Sequence, residues 1–157
     1  MLREDLVRYV RSIVNEDTVA HDLVQDVFVS LWSLRISLDP ARPLKAYLYR
    51  MARNRAYRHL RDERTHAEKH AIIEQQSPKV AQNNDHLDAA QLSEKLKKWI
   101  GELPARQREA LVLSRYHELS HRDVAAVMEV SPRTVNNHIM RALEHLQARI
   151  RAFEPIH

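Results

Sequence analysis

Five side chains near the C-terminus, Arg133, Asn136, Asn137, Met140 and Arg141, recur at steps of three, one, three and one. They fall away from an apolar stripe of Val135, Ile139, Leu143, Leu146 and Ile150. Their chemistry suits the edge of a base pair: Asn pairs with adenine, Arg with guanine or phosphate, and a Met can touch a thymine methyl. His138 is open to either DNA or a neighbouring helix. Ser131 followed by Pro132 reads as an N-cap and a first helical residue, which leaves free backbone N–H groups for a phosphate. The plainer alternative is a solvated face on a structural helix.

A second group lies between Lys45 and Arg64. Lys45, Arg50, Arg53, Arg55, Arg58, Arg61 and Arg64 stand against only Asp62 and Glu63, with Tyr47, Tyr49, Tyr57 and Asn54 interleaved. Arginines along a strand's path neutralise phosphates, and aromatic rings stack on unpaired bases. The composition suits a grip on melted DNA or RNA. The competing reading is a solvated basic helix whose tyrosines belong to the core.

A third group, Asp22, Gln25 and Asp26, sits at helical spacing beside Leu23, Val27 and Phe28. Acids repel DNA, so this face points to a basic protein surface, against the alternative of an ordinary amphipathic helix. His66 with His70, and His117 with His121, are four apart. Such pairs hold zinc only with a third ligand and a shaped pocket, so exposed or DNA-facing His is favoured over a metal site. No Ser/His/Asp or paired-carboxylate arrangement stands out, so neither catalysis nor a cofactor is expected.

These groups need helices to position them. The chain has 157 residues, 44% hydrophobic, with one Gly, no Cys and a formal net charge of +4. One Gly cannot build a phosphate loop, and the absence of Cys removes disulfides, thiolate catalysis and Cys-based zinc sites. No signal peptide and no window near ~18 apolar residues is visible, so a cytoplasmic protein without membrane insertion is expected.

The periodicity predicts helices over 2–14, over a stretch from Val19 to Trp32 capped within 15–18, and from Leu44 to about His66. A polar stretch from about Ala71 to Ala89 reads as a flexible linker. Beyond it come a helix with Leu92, Leu96, Trp99 and Ile100, and a stop and restart at 101–104. A second helix runs from Arg106 to Leu119, and a third is opened by Ser120 and Asp123 in a capping-box spacing. The last is the Ser131 helix. The final pair reads as a helix-turn-helix whose second member lies in a major groove. The fold class is all-α, two small helical domains joined by a flexible linker.

Four segments in order resemble the extracytoplasmic-function (ECF) sigma factors of bacterial RNA polymerase. Residues 20–32, AHDLVQDVFVSLW, look like the family's polymerase-binding helix in region two, and 44–55, LKAYLYRMARNR, resemble its promoter-melting and −10-reading segment. Residues 103–110, LPARQREA, open what looks like region four, and 131–142, SPRTVNNHIMRA, are similar to its −35-reading helix.

The resemblance implies region two over 1–68, a linker over 69–90 that threads past the polymerase active site, and region four over 91–153. It implies that Asp22, Gln25, Asp26, Phe28 and Trp32 bind core polymerase at the β′ coiled-coil. Tyr47, Arg50, Asn54, Arg55, Tyr57, Arg58 and Arg61 would handle the −10 element, and the loop around 37–42 a flipped base. Arg133, Thr134, Asn136, Asn137, His138, Met140 and Arg141 would read −35. Further implied partners are the β flap, promoter DNA and an anti-sigma factor.

The chain departs from the family in three places. It enters its first helix almost directly, so that helix is expected to be shortened. Glu129-Val130 stands where a Gly usually precedes the recognition-helix Ser, so the turn must use a residue with a Cβ. Asn136 replaces a commonly basic residue, so promoter preference does not carry over. The function expected is an alternative sigma factor without an active site of its own. The alternative is a LuxR-like helix-turn-helix regulator binding duplex DNA as a dimer, which needs neither the Arg/Tyr helix nor the acidic face.

Overall fold

The computed structural model describes residues 2–41, 43–70 and 89–153. The helices are α1 (Leu2–Val14), α2 (Asp17–Ser33), α3 (Leu44–His70), α4 (Ala89–Gly101), α5 (Ala105–Leu111), α6 (His121–Met128) and α7 (Pro132–Phe153), with a π-helical turn at Val112–Tyr116. No strand occurs among the described residues. α3 runs past its expected end to His70, and α4 is already helical at Ala89. The middle of the expected linker, residues 71–88, lies outside the described residues. The chain divides into two compact units, each described by itself.

In the first unit α1, α2 and α3 pack pairwise. Leu6 and Val10 of α1, Ala20, Val24 and Val27 of α2, and Leu48, Ala52 and Ala56 of α3 are buried. Small residues at 20, 52 and 56 let helix axes approach closely, and larger side chains interlock around them. Tyr9 and Tyr49 fill the centre, with ring centroids 5.3 Å apart and planes tilted by 53°. Tyr49 is completely buried, so its ring is core and cannot stack on a base. Here the core alternative holds for one of the three tyrosines.

Asn15, at φ 58°, closes α1 in the left-handed region, and its N–H bonds the Arg11 carbonyl at 2.8 Å. The expected side-chain cap on α2 is not made: Glu16 stands at the cap position in extended backbone without a side-chain bond. The Arg11–Asp17 ion pair, 2.7 Å, bridges this junction instead.

In the second unit α7 packs on α5 and α4. Arg108 donates to the carbonyls of Gly101 at 3.0 Å and Leu103 at 3.2 Å, satisfying the open end of α4. Glu102 pairs with Arg149 of α7 at 2.7 Å. The helix expected from Arg106 to Leu119 is not one continuous α-helix. His117 N–H bonds the Val112 carbonyl, five residues back, and Glu118 at φ 58° ends the run. The widened turn buries Leu113 and His117 and turns Tyr116 outward. α7 buries Val135, Ile139, Ala142 and Leu146, whereas Leu143 is 37% exposed. At about 100° per residue, Ala142 lies about 20° from Val135 around the helix and Leu143 about 80°, so the smaller residue faces the core.

The expected capping at Ser120 is present, with the Asp123 N–H bonding its Oγ at 3.1 Å. Ser131 caps α7 in the same way through the Thr134 N–H at 3.1 Å. Between these helices Glu129 sits at φ 59°, and the Val130 N–H reaches the Ala125 carbonyl at 3.0 Å. This is a Schellman turn made without glycine. The left-handed conformation costs a Cβ-bearing residue about 1–2 kcal/mol, partly offset by the greater unfolded-state freedom of Gly. Glu129→Gly is therefore expected to raise stability by about 0.5–1 kcal/mol, read as a higher urea midpoint at an unchanged slope.

Candidate functional site

Three faces are exposed opposite buried stripes, and each carries one of the groups singled out in the sequence. On α7, Arg133, Asn136, Asn137, Met140 and Arg141 are all exposed and occupy about 140° of arc opposite Val135, Ile139 and Ala142. Thr134 and His138 lie on the flank and are half-buried. The Thr134 hydroxyl is bonded to the Ser131 hydroxyl at 3.0 Å, which commits it to the cap. Asn136 Nδ2 donates to Met140 Sδ at 3.6 Å, one helical turn on.

On α3, Tyr47, Arg50, Asn54, Tyr57, Arg58 and Arg61 fall within about 100° of arc. Arg50, Asn54, Arg58 and Arg61 are exposed, and Tyr47 and Tyr57 are half-buried. The Arg53 guanidinium lies 4.9 Å from the Tyr57 ring centroid, holding the ring in place from one side. Arg55 falls outside this arc. It turns towards α2 and donates to the Ser30 hydroxyl. Helical rotation separates it from the basic stripe: 55 is about 100° from 54.

On α2, Asp22, Gln25 and Asp26 are exposed and stand opposite Ala20, Val24 and Val27. The same stripe continues into Val29, 59% exposed, and Trp32, 67% exposed. Phe28 is half-buried at its edge. Arg35 stacks 4.1 Å from the Trp32 ring centroid and bonds the Trp32 carbonyl at 2.7 Å, so the indole is held and still open. Val29 was assigned no role from sequence. Its signal was its place seven residues after Asp22 and three after Asp26, which puts it on the acidic face.

The loop to α3 continues with Ile36, 88% exposed, and an Asx turn from Asp39 to the Ala41 N–H at 2.9 Å. Among the described residues no three of His, Asp and Glu converge as metal ligands. His117 is buried and His121 exposed, while the His70 side chain lies outside the described residues. No described helix is long and apolar enough to cross a membrane.

Comparison with known proteins matches both halves. The family model for sigma-70 region 2 matches residues 1–66, and that for sigma-70 region 4 matches 93–146. The chain is 27% identical to the ECF RNA polymerase sigma factor SigM of Bacillus subtilis over 150 residues, covering 94% of this chain and 90% of SigM. It is 30% identical to the RNA polymerase sigma factor CnrH of Cupriavidus metallidurans over 153 residues, covering 91% of this chain and 79% of CnrH.

Among solved structures it is similar to the sigma factor RpoE of Bartonella quintana, crystallised with the anti-sigma factor NepR. There the TM-score is 0.73 and the identity 25%, covering 98% of this chain and 94% of RpoE. It is also similar to CnrH in complex with the cytosolic domain of CnrY, with a TM-score of 0.63 and 27% identity over 95% of this chain and 82% of that one. A helix-turn-helix regulator would share only the C-terminal half with this pattern, so the LuxR-like alternative has no support. With a region-two match on the unit that carries the acidic and Arg/Tyr faces, and a region-four match on the unit that carries the α7 face, the chain belongs to the ECF sigma factors of the sigma-70 family and directs transcription initiation as an alternative sigma factor.

Proposed function

We propose that this sigma factor divides its work among the three faces. The Asp22, Gln25, Asp26 stripe of α2, with Val29, Trp32 and the edge of Phe28, docks on the β′ coiled-coil of core polymerase. Tyr47, Arg50, Asn54, Tyr57, Arg58 and Arg61 of α3 hold the opened −10 strand, the arginines on phosphates and the two tyrosines against unpaired bases. Arg55 ties α3 to α2 rather than touching DNA. Arg133, Asn136, Asn137, Met140 and Arg141 of α7 read −35 in the major groove, with Thr134 and His138 at its margin and the β flap as the unit's protein contact.

The observation that carries this reading is the segregation of charge within one three-helix unit: acids and open apolar groups on α2, cations and tyrosines on α3. An acidic face cannot serve DNA, and a basic one cannot serve a basic protein surface, so the unit has two partners. The protein works in the cytoplasm, where polymerase is, and catalyses no reaction itself. An anti-sigma factor holds it inactive, a reading supported by its similarity to RpoE solved with NepR.

The test is transcription in vitro. Core polymerase with this chain is expected to initiate at a cognate promoter, and core alone is not. Promoter binding by the free chain, with no association with core, would overturn the proposal.

A further inference from the structure

Asn136 stands out because its amide is already engaged. Its Nδ2 donates to the Met140 sulfur at 3.6 Å, and both residues are on the exposed face of α7. Met140 is 51% exposed, so its sulfur is open to the same face as the Asn136 amide. A primary amide has two N–H groups and one carbonyl oxygen. A thioether accepts only weakly, so it favours the amide nitrogen over the oxygen as its neighbour and sets which way the amide points. When the N–H anti to Oδ1 is the one donated, the other N–H stays beside Oδ1, the donor–acceptor pair that matches N7 and N6 of adenine.

We infer that Met140 is a positioning residue for Asn136: its sulfur fixes the amide orientation so that Asn136 reads adenine, and rejects guanine, at one position of the −35 element. The inference rests on the proposed −35 role of α7. Guanine presents two acceptors, N7 and O6, so an amide whose oxygen is held towards O6 meets lone pair with lone pair. A freely rotating amide could turn its NH2 towards O6 and lose the distinction. Met140 removes that freedom from within the same helix, before DNA is bound. Leu at 140 keeps the bulk and the apolar contact with a neighbouring thymine methyl, and removes only the acceptor.

The experiment uses holoenzyme assembled from core polymerase and the full chain, with promoters carrying each base at each −35 position. Wild type is expected to prefer adenine over guanine at one position by about tenfold, and N136A to lose that preference. M140L is expected to lower it about threefold, a larger change than at any other −35 position. In the N136A background M140L should then have no further effect. An unchanged adenine preference in M140L overturns the inference. So does an equal effect of M140L with and without Asn136, which would mean that the sulfur acts independently of the Asn136 amide. R133A and R141A separate this from the underlying reading: if neither weakens −35-dependent initiation at any base, α7 does not read −35, and that reading fails instead.

Discussion

Reversing two charges on α2, with Asp22→Lys and Asp26→Lys together, is expected to weaken binding to core polymerase by about a hundredfold. Each tenfold loss corresponds to about 1.4 kcal/mol, and like charges brought together at an interface cost several kcal/mol. Both carboxylates are exposed on the side of α2 opposite Ala20, Val24 and Val27, so the fold does not depend on them. Thermal unfolding should therefore stay within a degree or two of wild type. The loss should shrink as salt rises, because these charges are screened before docking. Titration of core polymerase with labelled protein at two salt concentrations checks all three points. Equal losses of stability and binding would return the face to an ordinary solvated helix side. Trp32→Ala is the apolar counterpart, and its effect should persist at high salt, since it removes contact area rather than charge.

Tyr49→Ala should unfold the first unit or leave it about 3–5 kcal/mol less stable, the usual cost of deleting a large buried ring. Tyr47→Ala and Tyr57→Ala should leave the fold in place and lose binding to an opened −10 strand. The three tyrosines look alike in sequence, and only packing separates them. Tyr49 is fully enclosed against Tyr9, and burial, helped by the Asp5 carboxylate and only partly offset by Arg8, pushes its phenol well above the ordinary range.

In the unfolded chain the phenol ionises near 10, whereas in the folded unit it stays protonated there. The stabilising contribution is complete below about pH 10 and is lost as the pH rises further, because the unfolded state releases a proton that the folded state keeps. Urea unfolding at pH 8 and pH 11 should show this loss in wild type. Tyr49→Phe, which has no proton to release, should lose less over the same interval. Intact stability in Tyr49→Ala would show that the ring is not core.

Residue types and spacing alone determined the helix-turn-helix and the outward face of α7. The bihelical turn, the Ser120 and Ser131 caps and the stripe of Arg133, Asn136, Asn137, Met140 and Arg141 follow from local rules: cap chemistry, proline at the first helical position, and a period near 3.6. The resemblance read from four short segments named the family for the same reason, since each segment lies in or opens a single helix whose pattern survives in one dimension.

What the sequence could not decide depended on neighbours. The π-helical turn at Val112–Tyr116 interrupts the helix expected from Arg106 to Leu119, and no turn residue announces it. Arg55 looked like one more DNA-facing cation until α2 came alongside and offered Ser30. Val29 had no role from its sequence, and Trp32 shared the period of the apolar stripe, yet both stand open next to two acids. Helical periodicity shows which residues share a side. Only the packed bundle shows which side is covered, because burial is a property of the partner helix and not of the residue.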